Sequence, residues 1–180
     1  MALNPGTDAE ALVRPDMTAL VERPFLVVRS YPVTASDIRR WAIAVHHPEP
    51  APAHYLNDDE TQLVAPLDMN VFAWGAAQAE PGSPYHLPTR GTAASTPGAV
   101  EEYLGARGPD VARTLNGGLA VDYTGVRIRP GDVVDSTTVI EAYEEKRSRL
   151  GPMLFTHMRT TWTNQRGETI KTTRSTLIRY

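Results

Sequence analysis

The sequence predicts an α+β fold in which an antiparallel sheet wraps around one long helix, and two observations carry this prediction. From residue 116 onward the chain consists of strand patterns separated by turn residues. The segment TQLVAPLDMNVFAWGAAQAE (61–80), drawn as a helix that begins near Pro66, is apolar on nearly every side. Such a helix belongs in a protein interior, and a sheet curved around it buries the apolar surfaces of both.

Local signals predict the elements of the first half. RPFLVVRSYPV (23–33) has the composition of a strand that a proline ends. TASDIRRWAIAV (34–45) is predicted as a helix because Thr34 and Asp37 have the spacing of a capping pair. The apolar residues that share one face of this helix are Ile38, Trp41, Ala42 and Val45.

The C-terminal strands are predicted from alternation and turn residues. NGGLAVDYTGVRI (116–128) and VVDSTTVIEAYEEKR (133–147) flank the tight turn RPGD. PMLFTHMRTTWTN and ETIKTTRSTLIRY form a hairpin about NQRG, in which Gly167 takes a turn position that requires positive φ. We divide the chain into a polar N-terminal arm (1–22) and a single domain (23–180). The domain contains a long loop at 80–113, where AVEEYLGARGPDVARTL has room for a short helix.

The composition excludes several classes of functional site and of binding partner. The 180-residue chain has no cysteine, which removes disulfides, thiolate metal sites and a cysteine nucleophile. Its net charge of −3 and scattered basic residues predict no nucleic-acid partner. No apolar run approaches the ~20 residues that span a bilayer, and the N-terminus lacks the basic and apolar regions of a secretory signal. We therefore expect no membrane association and a cytoplasmic location.

The segment HHPEPAPAHYLNDDE (46–60) concentrates proton-handling side chains in a proline-stiffened loop, which we predict to be extended. Glu49 and His54 lie five residues apart in it, and a carboxylate with a nearby imidazole can hold a water molecule and remove its proton. The alternative is that both are solvated surface residues. A metal site from His46, Glu49 and His54 matches no zinc spacing, so no metal is predicted.

Four stretches carry, in this order, a resemblance to the MaoC-like hot-dog dehydratases and (R)-specific enoyl-CoA hydratases. They are DIRRWAIAVHHPEPAPAHYLND, LVAPLDMNVFAW, NGGLAVDYTGVRIRPGDVV and MLFTHMRTTWTNQRGETIKTTRSTLIRY. The chain looks most similar to the N-terminal branch, which resembles the dehydratase of fungal fatty-acid synthase. The resemblance implies the hot-dog fold, an antiparallel sheet wrapped around a long central helix. It also implies an acyl-CoA or acyl-carrier-protein thioester as substrate, no cofactor, and assembly as a homodimer or as a heteromer with a MaoC-type subunit.

The resemblance also implies catalytic residues. On the family signature D-x-N-P-x-H this chain has Glu49, Pro52 and His54 at the matching positions, so Glu49 and His54 are the implied catalytic pair. Glutamate replaces the aspartate of the signature, and Ala51 replaces its asparagine. The family places a backbone N–H at the start of the central helix against the thioester carbonyl, and this position falls at Leu67.

Further residues are assigned to substrate binding. Asp68 and Asn70 follow the implied oxyanion position. Asn116, Gly117 and Gly118 match the glycines that border the family's substrate channel, with an ordinary turn or bulge as the alternative. Arg127 and Arg129, one strand step from the PGD turn, would share a sheet face and meet the phosphates of coenzyme A. The alternative for these two arginines is a solvated face.

Three functions remain open from the sequence. The chain is a hydratase or dehydratase that adds or removes water across a 2-enoyl thioester, or it is a non-catalytic, substrate-binding subunit of a heteromeric MaoC-type dehydratase. The third function, supported by the implied fold alone, is an acyl-CoA thioesterase.

Overall fold

A computed structural model describes residues 11–73, 97–149 and 151–180. Within them the chain forms four short or medium helices and five strands. The helices are α1 (Pro15–Thr18), α2 (Ala35–His46), α3 (Ala53–Leu56) and α4 (Ala99–Tyr103). The strands are β1 (Pro24–Arg29), β2 (Thr114–Tyr123), β3 (Val134–Ser148), β4 (Gly151–Asn164) and β5 (Thr169–Arg179). A single 3-10 turn, Glu60–Gln62, follows α3.

The five strands form one antiparallel sheet in the order β1-β3-β4-β5-β2. The predicted hairpin is confirmed: β4 and β5 pair across the turn in which Gly167 has a φ of 79°. The strand predicted to begin near residue 133 is confirmed as β3. The preceding strand, β2, is shorter than predicted because it ends at Tyr123.

Helix α2 is confirmed together with its cap. The Thr34 hydroxyl accepts a hydrogen bond from the Asp37 N–H, and the Asp37 carboxylate accepts one from the Thr34 N–H, so that both donors are satisfied at the helix start. Ile38 and Ala42 are fully buried, as the pattern predicted. Val45 is exposed, so the predicted buried face ends one turn earlier.

The helix predicted to begin near Pro66 is wrong for its first half, because residues 63–73, which follow the 3-10 turn, form irregular chain and turns. The buried residues are Leu63, Ala65, Met69 and Val71. Within the pairs 63/65 and 69/71 the buried residues are two positions apart, as in extended chain, and the exposed Leu67 lies in the turn between the two pairs. This alternation explains why the segment looks apolar on all sides of a helical projection. The predicted helical residues 74–79 lie outside the described residues, as does the loop from residue 80 to 96.

The N-terminal segment contributes to the core. Met17 of α1 packs with Leu12 and Leu154, and Leu20 packs with Phe25 and the β3 residue Ile140. The described part of the predicted polar arm therefore carries buried apolar side chains that cover one end of the sheet. No helix among the described residues is long and apolar enough to cross a membrane.

Candidate functional site

The proline-rich loop is held against α2 by two buried side chains. Ala51 and Tyr55 belong to the same apolar cluster as Ile38 and Ala42 of α2. The replacement of the signature asparagine by Ala51 fits this environment, since a small apolar side chain needs no hydrogen-bonding partner when it is buried. The prediction of a wholly extended loop is wrong at its centre, because the helical turn α3 begins directly after Pro52, where proline removes no required donor.

Glu49 and His54 are both exposed on this loop. The His54 ring lies 4.0 Å from the ring of the buried Tyr55, measured between centroids. Since both side chains are open to solvent, they are available to a substrate or to a second chain. Their catalytic role stays a prediction.

A turn at residues 65–70 carries the implied oxyanion position and is fastened by three side chains from elsewhere in the fold. The Arg127 guanidinium donates to the Ala65 carbonyl, with an Nε–O distance of 3.2 Å. The Lys171 ammonium donates to the Met69 carbonyl at 3.1 Å. The indole of Trp41, on α2, donates to the Asp68 carboxylate at 3.3 Å. These contacts join the turn to α2, to the sheet and to the segment after β2.

Two backbone N–H groups of this turn have no hydrogen-bond acceptor among the described residues. Its own hydrogen bond runs from the Met69 N–H to the Pro66 carbonyl at 3.1 Å. No described residue accepts a hydrogen bond from the N–H of Leu67 or Asp68. Leu67 is 45% exposed, and Asn70 is also exposed. Two neighbouring N–H groups that lack an acceptor among the described residues are of the kind that can bind an oxyanion, although here a turn and not a helix end presents them.

Lys171 is the residue of this region that sequence analysis missed. It is 5% exposed and lies on β5, directly between Trp162 of β4 and Tyr123 of β2 in the sheet register. Its Nζ lies 4.0 Å from the Trp162 ring centroid. Burial lowers the pKa of Lys171, and the nearby Asp68 carboxylate opposes this shift. The only sequence signal is a lysine at an inward position of an alternating strand, which composition assigns to the surface.

The predicted common face of Arg127 and Arg129 is wrong. Both residues follow the end of β2 at Tyr123 and belong to no strand. Arg127 is half-buried, and its guanidinium is occupied by the Ala65 carbonyl. The exposed Arg129 instead forms the PGD turn, in which its N–H donates to the Asp132 carboxylate at 2.9 Å. Contact of these arginines with a phosphate stays a prediction, and only Arg129 has the exposure it needs.

The paired glycines form a bulge, as one of the two sequence interpretations predicted. The register of β2 against β5 shifts between Asn116 and Gly118. A Cβ at Gly117 would lie 2.8 Å from a side-chain carbon of Ile178, so only glycine fits this approach. The Asn116 side chain accepts a hydrogen bond from the Gly118 N–H at 3.2 Å. Contact of these residues with substrate stays a prediction.

Two cavities border the N-terminal segment. One, of about 230 Å³, is lined by Leu12, Arg14 and Arg107, and the other, of about 560 Å³, by residues 13–15, 18 and 19. Neither is lined by Glu49, His54 or the 65–70 turn. In the parts of the chain that the structure describes, no three histidine or acidic side chains gather as metal ligands would.

Comparison with known proteins gives the family. The sequence model of the family described as "FAS1-like, dehydratase domain region" matches residues 19–173. A search of the curated proteins finds no significant match. Among solved structures, a chain of the ChsH1-ChsH2 complex from Mycobacterium tuberculosis is similar at a TM-score of 0.54 and 15% identity, over 88% of this chain and 84% of that one. This likeness and the family match confirm the predicted hot-dog fold class.

Two further structures are similar at lower scores. The MaoC-like dehydratase from Rhodospirillum rubrum has a TM-score of 0.45 and 19% identity, over 86% of this chain and 90% of that one. A chain of the HadBC (3R-hydroxyacyl-ACP dehydratase) complex from Mycobacterium tuberculosis has a TM-score of 0.46 and 19% identity, over 87% of this chain and 96% of that one.

Proposed function

The chain belongs to the FAS1-like dehydratase family, and from this premise we propose that it works in a hydratase or dehydratase that adds or removes water across a 2-enoyl thioester. The acyl group would be carried by coenzyme A or by acyl carrier protein. The single observation that carries the proposal is the family match, which spans the proline-rich loop, the 65–70 turn and most of the sheet. The open N–H groups of Leu67 and Asp68 support it independently.

The proposed chemistry assigns one task to each part of the site. Glu49 and His54 hold water and take its proton, while the water oxygen forms a bond with the β-carbon of the enoyl thioester. The electron pair of the double bond moves through the α-carbon onto the thioester oxygen, where the Leu67 and Asp68 N–H groups stabilise the enolate. The collapsing enolate then takes this proton, or its equivalent, at the α-carbon from the Glu49 and His54 pair, which returns the pair to its starting state. Dehydration is the same sequence in reverse.

A second chain is proposed to complete the site, because strand β2 is an uncovered edge. All ten of its residues are exposed, including Leu115, Leu119, Val121 and Tyr123. Among the described strands β2 pairs with β5 alone, so no described strand pairs with its outer backbone groups. Folded proteins rarely leave an apolar strand edge open, since it recruits another strand. Tyr123 lies opposite Lys171, which bonds the 65–70 turn, so a partner paired along β2 would adjoin that turn.

The second candidate is the non-catalytic subunit. The exposure of Glu49 and His54 favours it, since a catalytic pair is normally shielded from bulk water. The similar structure from Mycobacterium tuberculosis is a complex of two different chains, which is the assembly that this candidate requires. In that case this chain would shape the acyl site while a MaoC-type partner supplied the acid and base.

Hydration of crotonyl-CoA distinguishes the candidates. We expect the absorbance of the enoyl thioester to fall when the protein is added. The assay is run with the purified chain alone and with the chain co-expressed with a MaoC-type chain from a neighbouring gene. Turnover by the chain alone supports a catalytic homo-oligomer, and turnover by the co-expressed complex alone supports the heteromer. Absence of hydration by both, with release of free thiol from a saturated acyl-CoA, would replace the proposal with a thioesterase.

Replacement of Leu119 by lysine tests the proposed interface. Leu119 is 68% exposed in the isolated chain, so its replacement should leave the fold intact but place a charge in the apolar edge. We expect L119K to shift the assembly toward monomer in light scattering at micromolar concentration. The matched control is I43K, since Ile43 of α2 is also exposed and apolar but lies off this edge. An L119K protein with the wild-type mass would reject β2 as the interface.

A further inference from the structure

Lys171 is an unusual residue for the interior of a sheet. A buried ammonium loses its hydration, and proteins normally place lysine at the surface for this reason. Here the cost is offset by a hydrogen bond to the Met69 carbonyl and by the face of Trp162. The hydrogen bond places the ammonium at the 65–70 turn, and neither contact is a salt bridge.

The Met69 carbonyl is the part of the turn that depends on Lys171. Met69 is fully buried, so water cannot replace the lysine as donor to its carbonyl. A buried carbonyl without a donor is costly, and the turn would rearrange to find another. The most direct rearrangement is a helical hydrogen bond from Ala73, whose N–H now donates to the Asn70 carbonyl. Lys171 therefore favours the turn over the helix that the sequence pattern alone predicts.

We propose that Lys171 is a positioning residue for the oxyanion donors, which it orients through the Met69 carbonyl and supports with its positive charge. This inference rests on the proposed function, in which the N–H groups of Leu67 and Asp68 hold the enolate oxygen. The ammonium acts on substrate only through the turn. Its charge also compensates the Asp68 carboxylate, which would otherwise oppose negative charge at the same place.

The charge of Lys171 depends on pH. Burial lowers its pKa below the ordinary ~10.4 of lysine. Among the described residues, the titratable groups that face it are Asp68 on the turn and Tyr123 on β2. Deprotonation would leave a neutral amine that still donates to Met69 but no longer carries charge. Activity should therefore fall at alkaline pH even while the turn stays in place.

The variants K171M and K171R test the two contributions of Lys171, which are its hydrogen bond to the Met69 carbonyl and its positive charge. Methionine keeps the volume but removes the donor and the charge, and arginine keeps both at any accessible pH. We expect K171M to lose about 10- to 100-fold in kcat with KM within twofold, because the loss concerns the transition state. K171R should retain most of the activity, and its kcat/KM should lack the alkaline fall of the wild type. The matched control is K146M, since Lys146 also lies over an aromatic ring, Phe155, but is exposed.

Three results would overturn the proposal. They are a K171M protein with kcat within twofold of wild type, a loss that resides wholly in KM, and a K171R protein with the same alkaline fall as wild type. If K171M does not fold, the comparison of K171R with wild type decides alone.

Amide hydrogen exchange tests the positioning role of Lys171 separately from the proposed hydratase function. If no form of the wild type hydrates an enoyl thioester, the proposed function fails, and amide hydrogen exchange then tests the positioning. Faster exchange confined to residues 63–73 in the milder K171Q variant supports it, and unchanged exchange there rejects it.

Discussion

Replacement of Glu101 by alanine is expected to destabilise the protein by about 3–5 kcal/mol, because it leaves a buried guanidinium without its counter-ion. Glu101 and Arg179 have 0% and 1% of their surface exposed. Two hydrogen bonds, of 2.9 and 2.7 Å, join them in the paired geometry that guanidinium and carboxylate favour. The Tyr143 hydroxyl also donates to the Glu101 carboxylate at 2.9 Å. The loss would be a large part of the ~5–15 kcal/mol that stabilises a domain.

This ion pair joins helix α4 to the sheet. Arg179 also donates to the Pro97 carbonyl and to the Thr156 hydroxyl, so one guanidinium joins α4, β4 and β5. Burial, together with the Glu101 carboxylate, holds the pKa of Tyr143 far above its usual range. The tyrosine therefore stays a hydrogen-bond donor to Glu101 throughout the pH range in which the protein would be used.

Urea unfolding measures the effect, and two further variants interpret it. E102A is the matched control, since Glu102 is the exposed neighbour on the same helix, and we expect a change within about 0.5 kcal/mol. The double variant E101L/R179M removes both charges and should recover part of the loss. A cost below about 1 kcal/mol for E101A would mean that water reaches the pair and that the site is not buried in solution.

The elements predicted correctly from the sequence are those whose signals are local. The cap of α2 depends on two residues three positions apart, and the β4–β5 hairpin on alternation and on Gly167. The bulge at Gly117 is likewise visible as paired glycines at the start of a strand. The cap and the hairpin turn are formed by hydrogen bonds between residues close together in the chain. The bulge lies in the pairing of β2 with the distant β5, but the glycines that permit it are adjacent in the sequence.

The secondary structure of residues 63–73 differs from the predicted helix because the hydrogen bonds that fix this segment are not local. The turn at residues 65–70 is fixed by Arg127, 62 positions from its acceptor Ala65, and by Lys171, 102 positions from Met69. Neither contact can be inferred from a helical or alternating pattern. The same reason explains the error at Arg127. The sequence predicted this residue on the face of a strand, whereas its guanidinium donates a hydrogen bond to the turn. The family signature still located the loop and the turn, since it reports chain order rather than tertiary contacts.

Replacement of Glu49 by glutamine or of His54 by alanine is expected to lower hydration of crotonyl-CoA by about 10²–10⁴-fold if this chain supplies its own acid and base. Glutamine keeps the shape of the side chain but cannot accept the proton of water at neutral pH. The measurement is kcat/KM of the assembled protein, with thermal unfolding to confirm that each variant folds. Because both residues are exposed, neither change should alter stability by more than about 0.5 kcal/mol.

The same loop supplies matched controls in His47 and Asp58, which are an exposed imidazole and an exposed carboxylate outside the proposed pair. H47A and D58N should therefore keep wild-type activity. A uniform loss in all four variants would point to the loop as a docking surface and not to proton transfer. Activity within twofold of wild type in both E49Q and H54A would assign the acid and base to the partner chain. The 65–70 turn would then be this chain's contribution to the shared site. In that case E49Q would leave turnover intact, whereas L119K would abolish it because it separates the subunits.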